Sequence, residues 1–213
     1  MVLVGIGYFS NNLLFQRFLG GINPLAVGFF IVVLGFVLLA FLLSKDWFSI
    51  YKKGSLKGLL YASGLAAIFG SIAILVDFTA RVYPADINIQ FPESLVYYPA
   101  IGFFVEILFQ VLPLTVILVI LTSLSKKISF NKIMWASIFV ASLPEPVFQV
   151  TSLFSGQSLL WFAVFELARI FLVILSQLTF FRRYDFVTMY WFRIVYYIFW
   201  HILWGNLRLV LLF

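Results

Sequence analysis

A succession of apolar runs, each about twenty residues long and separated by short polar turns, limits this chain more than any other feature. The runs are residues 24–43, 58–78, 98–124, 133–154, 158–181 and 187–212. A bilayer core is ~30 Å thick, and a helix rising ~1.5 Å per residue crosses it with roughly 20 apolar residues. In that medium each backbone N–H and C=O must find its partner within its own segment, so each run is expected to be a helix. The chain therefore reads as all-α, a polytopic transmembrane helical bundle that forms one domain over residues 1–213. Charge agrees with this: Asp, Glu, Lys and Arg make up 10% of the chain, against roughly 25% in soluble domains. A seventh helix is expected at 3–20, short or partly in-plane, because Asn11, Asn12, Gln16 and Arg17 come early in it. With no basic first region, this start does not read as a cleavable leader.

The cations set an orientation. Lys45, Lys52, Lys53 and Lys57 fall in one loop, Lys126, Lys127 and Lys132 in another, and Arg182 and Arg183 in a third. These are alternate loops, so the excess of Lys and Arg places 44–57, 125–132 and 182–186 in the cytoplasm of a multi-pass cell-membrane protein. The opposite side carries Arg17, Arg81 and Arg208, together with the one long loop, 79–99. The net charge of +6 belongs to those cytoplasmic loops. No nucleic-acid-binding motif accompanies it. The chain has no Cys and a single His, His201, which excludes thiolate chemistry and sulfur- or His-rich metal sites. It has no Gly-rich phosphate loop, no Gly-x-Ser-x-Gly elbow and no His-Glu-x-x-His, so nucleotide-driven chemistry and the common soluble hydrolases are not expected. The lipid bilayer is the first expected partner, since 27 Phe, 10 Tyr and 6 Trp suit a lipid-facing surface and its interfacial belts.

Chemistry is expected where ionisable groups sit inside the runs, because each costs ~2.5–3.5 kcal/mol to insert. These groups are Glu106, Glu145, Glu166, Arg169, Arg193 and His201. Counted from the outer ends, Glu106 and Glu145 lie ~14 Å deep, Glu166 ~12 Å, and Arg169 and His201 ~17 Å. Five polar groups from four helices thus fall in one layer of the outer half. Helical spacing puts Glu106 with Gln110 on one face, and Glu145 with Gln149 on another. Arg193, Tyr197, His201 and Arg208 form a stripe on the last run, and each polar face is expected to look into the bundle. Pro144 and Pro146 flank Glu145 and are expected to break the helix there, a common way to line a membrane cavity. Plainer roles are open to several of these residues. Glu166 and Arg169, three apart, neutralise each other. Arg193 snorkels to the inner end. Pro113 is an ordinary kink, and Asp77 and Arg208 are interfacial. The test of a shared site is whether Glu106, Glu145 and His201 converge around a cavity.

Residues 103–110, FFVEILFQ, resemble the first motif of the CPBP family, the intramembrane endopeptidases that include the type II CAAX-prenyl proteases and the bacterial Abi proteins. That motif is two Glu, three residues, then Arg. Glu106 stands at the second Glu, Val105 replaces the first, and Gln110 replaces the Arg. A later family motif is His, three residues, then Asn or Asp. FWHILWGN supplies His201, with Gly205 at the expected position and Asn206 one beyond it. The family's Phe-x-x-x-His is absent. The resemblance implies an all-helical membrane fold in which Glu and His activate water against a peptide bond. Glu106 would be the general base, and His201 would orient water or stabilise the oxyanion. The departures imply an inactive relative equally with an active peptidase.

Three functions follow as expectations. The first is an intramembrane hydrolase on Glu106, Glu145 and His201; a divalent-metal variant would use the same three as ligands with a fourth position open. The second is a small proton-coupled carrier, whose relay would run through the buried glutamates and the Arg193–His201 stripe and which would need a partner or homo-oligomer. The third is a non-catalytic subunit or scaffold of a larger membrane complex, in which buried polar pairs specify helix packing.

Overall fold

The computed structural model describes residues 1–10, 14–15, 19–52, 55–124, 127–153 and 160–213. Asn11, Asn12, Gln16, Arg17, Lys53, Lys126 and the turn 155–157 lie outside the described residues. The described chain is all-α, with α1 Val2–Ser10, α2 Pro24–Ser44, α3 Leu56–Ala80, α4 Ser94–Leu124, α5 Phe130–Ala141, α6 Pro144–Leu153, α7 Leu160–Arg183 and α8 Phe186–Leu211. Among the described residues six spans are long and apolar enough to cross a membrane: α2, α3, α4, α5 with α6 as far as Ser152, α7 and α8. They agree with the six runs to within about four residues at either end, the largest shift being α4, which starts at Ser94. Of the short or partly in-plane helix expected at 3–20, the described part, α1, has 9 residues. At ~1.5 Å per residue it reaches only about half way across a bilayer. It packs instead against α2 and α4, with Phe15 beyond its end lying on the Tyr97 ring.

Ring and backbone contacts bring the basic loops to one end. Phe186 and Val187 N–H groups donate to the Ser49 and Ile50 carbonyls, and Trp47 lies 5.7 Å from the Phe130 ring. Buried Asp185 caps α8, accepting from Thr188 N–H at 2.7 Å and from Lys52 N–H at 2.8 Å. At the other end, the loop 81–93 folds over the last turns of α8 and the start of α7.

α3 and α8 are tightly paired because α3 presents small residues to α8. Gly58, Ala62, Ala66, Gly70 and Ala73 are buried along one face of α3, the pattern that lets membrane helices approach closely. A Cβ on Gly70 would lie 2.8 Å from the Phe199 Cβ. Asp77 ends that same buried face.

Two helices contain a wide turn. In α4, residues Glu106–Val111 form a π-helical segment, and the Leu112 N–H reaches back five residues to the Ile107 carbonyl. Pro113 follows directly. It has no N–H to give, and its ring crowds the carbonyl four residues earlier, which the wider turn relieves. In α8, Ile198–Trp204 is π-helical as well. Such turns are often found at functional sites. Here they carry Glu106, Gln110 and His201. The fourth span is broken as its prolines predict: α5 stops at Ala141, Ser142 and Leu143 turn, and Pro144 opens α6. Both prolines then sit in the first turn of α6, where a missing N–H goes unnoticed, and Glu145 stands at the break.

Candidate functional site: a buried charge cluster and the cavity beside it

The wide turn of α4, the break before α6 and the middle of α7 and α8 bring seven polar side chains together. Arg193 is at the centre. Its Nε donates to Glu106 Oε1 at 2.7 Å, and its two terminal nitrogens donate to both oxygens of Glu145 at 2.9 and 2.8 Å. The same nitrogens also reach Tyr197 Oη at 3.2 Å and Gln177 Oε1 at 3.1 Å. A guanidinium has five N–H donors, and these five bonds use them all. Arg193 follows the inward reading of its stripe and does not snorkel to the inner end: it points into the bundle and is 3% exposed. The reason is electrostatic: two carboxylates lie within its reach in a medium that leaves a lone charge uncompensated.

The glutamines complete the cluster. Gln110 donates to Glu145 at 3.3 Å and to Gln177 at 3.2 Å, while Gln149 donates to Glu145 at 2.9 Å. Gln177 donates to Glu106 Oε1 at 2.5 Å. The shared faces of Glu106 with Gln110 and of Glu145 with Gln149 are thus present. Both Glu145 oxygens accept two bonds each. Glu106 Oε2 and Gln110 Oε1 are the cluster's buried oxygens with no partner, and both are acceptors on one helix, four residues apart.

A second group lies beside it. Glu166 and Arg169 form a two-pronged pair at 2.9 and 2.5 Å, as their spacing predicts. Arg169 also donates to the Tyr196 hydroxyl. Tyr83, in the loop, donates to Glu166 at 2.6 Å. Burial pushes the Tyr83 phenol well above its ordinary pKa, so it stays a donor. Nearer the loop, His201 Nδ1 meets Asn88 Oδ1 at 2.6 Å, and its ring stacks on Tyr98 at 4.4 Å. A carbonyl oxygen only accepts, so Nδ1 carries a proton, and in the neutral ring Nε2 carries the lone pair. Because the turn of α8 is wide, Asn206, five residues past His201, returns to the same side, and its Oδ1 accepts from Phe91 N–H at 3.1 Å. Both residues hold the 88–91 stretch of the loop.

Between these groups is a cavity of about 420 Å³. Its walls are mostly aromatic and aliphatic, and among the expected site residues Glu145, Gln149, Glu166, Arg169, Arg193, Tyr197 and His201 line it. Glu106, Gln110 and Asn206 do not. Glu145 and His201 therefore share a space, whereas Glu106 is behind Arg193. Among the described residues no three His, Cys, Asp or Glu side chains come together to hold a metal ion. A guanidinium occupies the position between the two glutamates, so the three-ligand metal set does not fit.

Asp77 and Arg208 depart from their interfacial reading, and Arg208 follows the inward reading of its stripe. They are not interfacial but fully buried, paired at 2.7 and 3.1 Å. Trp204 donates to Asp77 as well, and Arg208 donates to the carbonyls of Tyr83, Pro84 and Ala85. Other residues that the sequence did not single out are Gln177, Tyr83 and Tyr196. One signal was present for Asp77, since it continues the small-residue face of α3. Gln177 is eleven residues after Glu166, or three helical turns, and so shares its face.

Comparison with known proteins finds no matching family model, no similar curated protein and no similar solved structure.

Proposed function

We propose that this chain is a membrane-embedded binding protein, an inactive relative of the CPBP-type peptidases it resembles, which takes an apolar-chained ligand into the cavity beneath its long loop. The observation that carries this reading is the saturation of Arg193. A general base must be free to take a proton from water. Glu145, the glutamate that lines the cavity, already accepts four hydrogen bonds, two of them from a permanently charged guanidinium. Glu106 is fully buried behind that guanidinium. The cavity is of the size and character of small-ligand sites, largely apolar with a few placed polar groups. On this reading the basic loops 44–57, 125–132 and 182–186 face the cytoplasm, and the cavity belongs to the outer half of the bilayer.

The test is to incubate the purified protein, in lipid nanodiscs, with prenylated and transmembrane peptides and to follow fragments by mass spectrometry. No cleavage above that of Glu145→Gln is expected. Turnover by the natural chain that disappears in both Glu145→Gln and His201→Ala would overturn the reading. It would favour the second one, an active peptidase, for which the support is the shared cavity of Glu145 and His201.

A further inference from the structure

The hydrogen-bonding capacity left over in the cavity wall specifies a head group. Arg169 uses three of its five N–H donors, two on Glu166 and one on Tyr196. Two donors are left on a side chain that lines the cavity. His201 has Asn88 at Nδ1 and, among the described residues, no partner at Nε2, so it adds one acceptor to the same wall. Arg193 contributes nothing, being saturated. The charges in the wall balance: Glu145 and Glu166 stand against Arg193 and Arg169, with the carboxylate of Glu106 as a further negative group behind Arg193. No positive charge is in excess, so an anionic head has no counter-ion here. Gln149, Ser152 and several tyrosines are the other polar residues of the wall, and the rest of it is apolar. Ile101, Val105, Phe109 and Phe148 continue it, and Phe148 is 48% exposed on the outside of the bundle, where lipid would lie.

The geometry points to a site for an uncharged, single-chain amphiphile whose head offers a carbonyl oxygen to Arg169 and a hydroxyl or amide N–H to His201. Its chain runs past Phe109 towards Phe148. This inference rests on the binding function proposed above and adds the class of ligand. A monoacylglycerol and an N-acyl amino alcohol share this chemistry, one through an ester and the other through an amide.

Trp200 lines the cavity and provides a reporter. Brominated acyl chains quench tryptophan on contact, so the probes are a brominated monoacylglycerol, a brominated N-acylethanolamine, the brominated fatty acid and a brominated alkylammonium, each titrated into the protein in neutral micelles. Saturable quenching by either or both of the first two is expected, and which of them saturates at lower concentration tells ester from amide. The acid and the ammonium are expected to quench weakly and without saturation. Trp200→Phe should remove most of the saturable signal. His201→Phe, which keeps the ring stack on Tyr98, should weaken binding about tenfold, the effect of one hydrogen bond of ~1.4 kcal/mol. Excess unbrominated monoacylglycerol should restore the fluorescence of the natural protein, so the result does not depend on the variants folding. Equal quenching by all four probes, or tighter binding of the acid or the ammonium, overturns the inference while leaving a binding function intact. Release of fatty acid from the monoacylglycerol would instead overturn the binding function itself.

Discussion

Arg193 directs all five of its donors into protein, and most of what the site can do follows from that. Removing one partner of a buried charge pair costs about 3–5 kcal/mol, so Arg193→Met is expected to lower stability by roughly that much in reversible unfolding in mixed micelles. Glu106→Gln should behave differently. Two carboxylates share one guanidinium, and the unpartnered Glu106 Oε2 and Gln110 Oε1 are both acceptors. An amide at 106 removes the excess charge and supplies a donor. Its stability should stay within about 1 kcal/mol of the natural protein, the net worth of one hydrogen bond. Equal losses for Glu106→Gln and Arg193→Met would show that Glu106 is as tightly committed as its partner. At this scale the sequence was legible in kind but not in pairing. Glu106, Glu145, Glu166 and Arg169 all turn inward as their helical faces predict. For Arg193 the inward stripe and the nearby helix end pointed different ways, because which way a long side chain turns depends on neighbours from other helices. The pairing of Asp77 with Arg208 was unreadable for the same reason, the two being 131 residues apart in sequence.

The elements position these residues through small, local devices. The face of α3 that carries Gly58, Ala62, Ala66, Gly70 and Ala73 lets α8 approach closely enough for Asp77 to reach Arg208. Gly70→Ala should therefore destabilise the protein, since its Cβ would meet Phe199 at 2.8 Å. Gly64→Ala, with nothing within 4 Å, should be neutral or stabilising by up to ~1 kcal/mol from helix propensity alone. Thermal melting of the two variants compares them directly, and equal melting points would contradict the packing described. The loop 81–93 depends on the far end of the same pairing, because Arg208 holds three of its carbonyls. Asp77→Asn is expected to free the loop, seen as faster amide exchange over residues 83–91 with little change in α7. Unchanged protection there would mean that Tyr83, Asn88 and Phe91 hold the loop without Arg208. The proline break before Glu145 was visible in the sequence. The wide turns were less so: Pro113 hinted at one, but no residue pattern marks the second in Ile198–Trp204.

For the molecule as a whole, six apolar spans and the alternation of basic loops define the architecture, and contacts between loops 45–52 and 184–187 agree with that alternation. The absence of Cys gives a clean background for testing orientation. Asp86→Cys should react with a membrane-impermeant maleimide from outside the cell, and Lys127→Cys only after lysis; the reverse pattern would invert the topology. The number of spans was legible because lipid thickness acts on the chain segment by segment. The cavity was not, since its shape arises from helix packing that no single segment encodes. The central claim is that Glu145 is committed to Arg193 and so is unavailable as a base. A double-mutant cycle on Glu145→Gln and Arg193→Met, read by reversible unfolding, tests it most directly. The account predicts a coupling of about 2 kcal/mol or more, with the double variant more stable than the sum of the two single losses implies. Losses that simply add, to within about 0.5 kcal/mol, would contradict it.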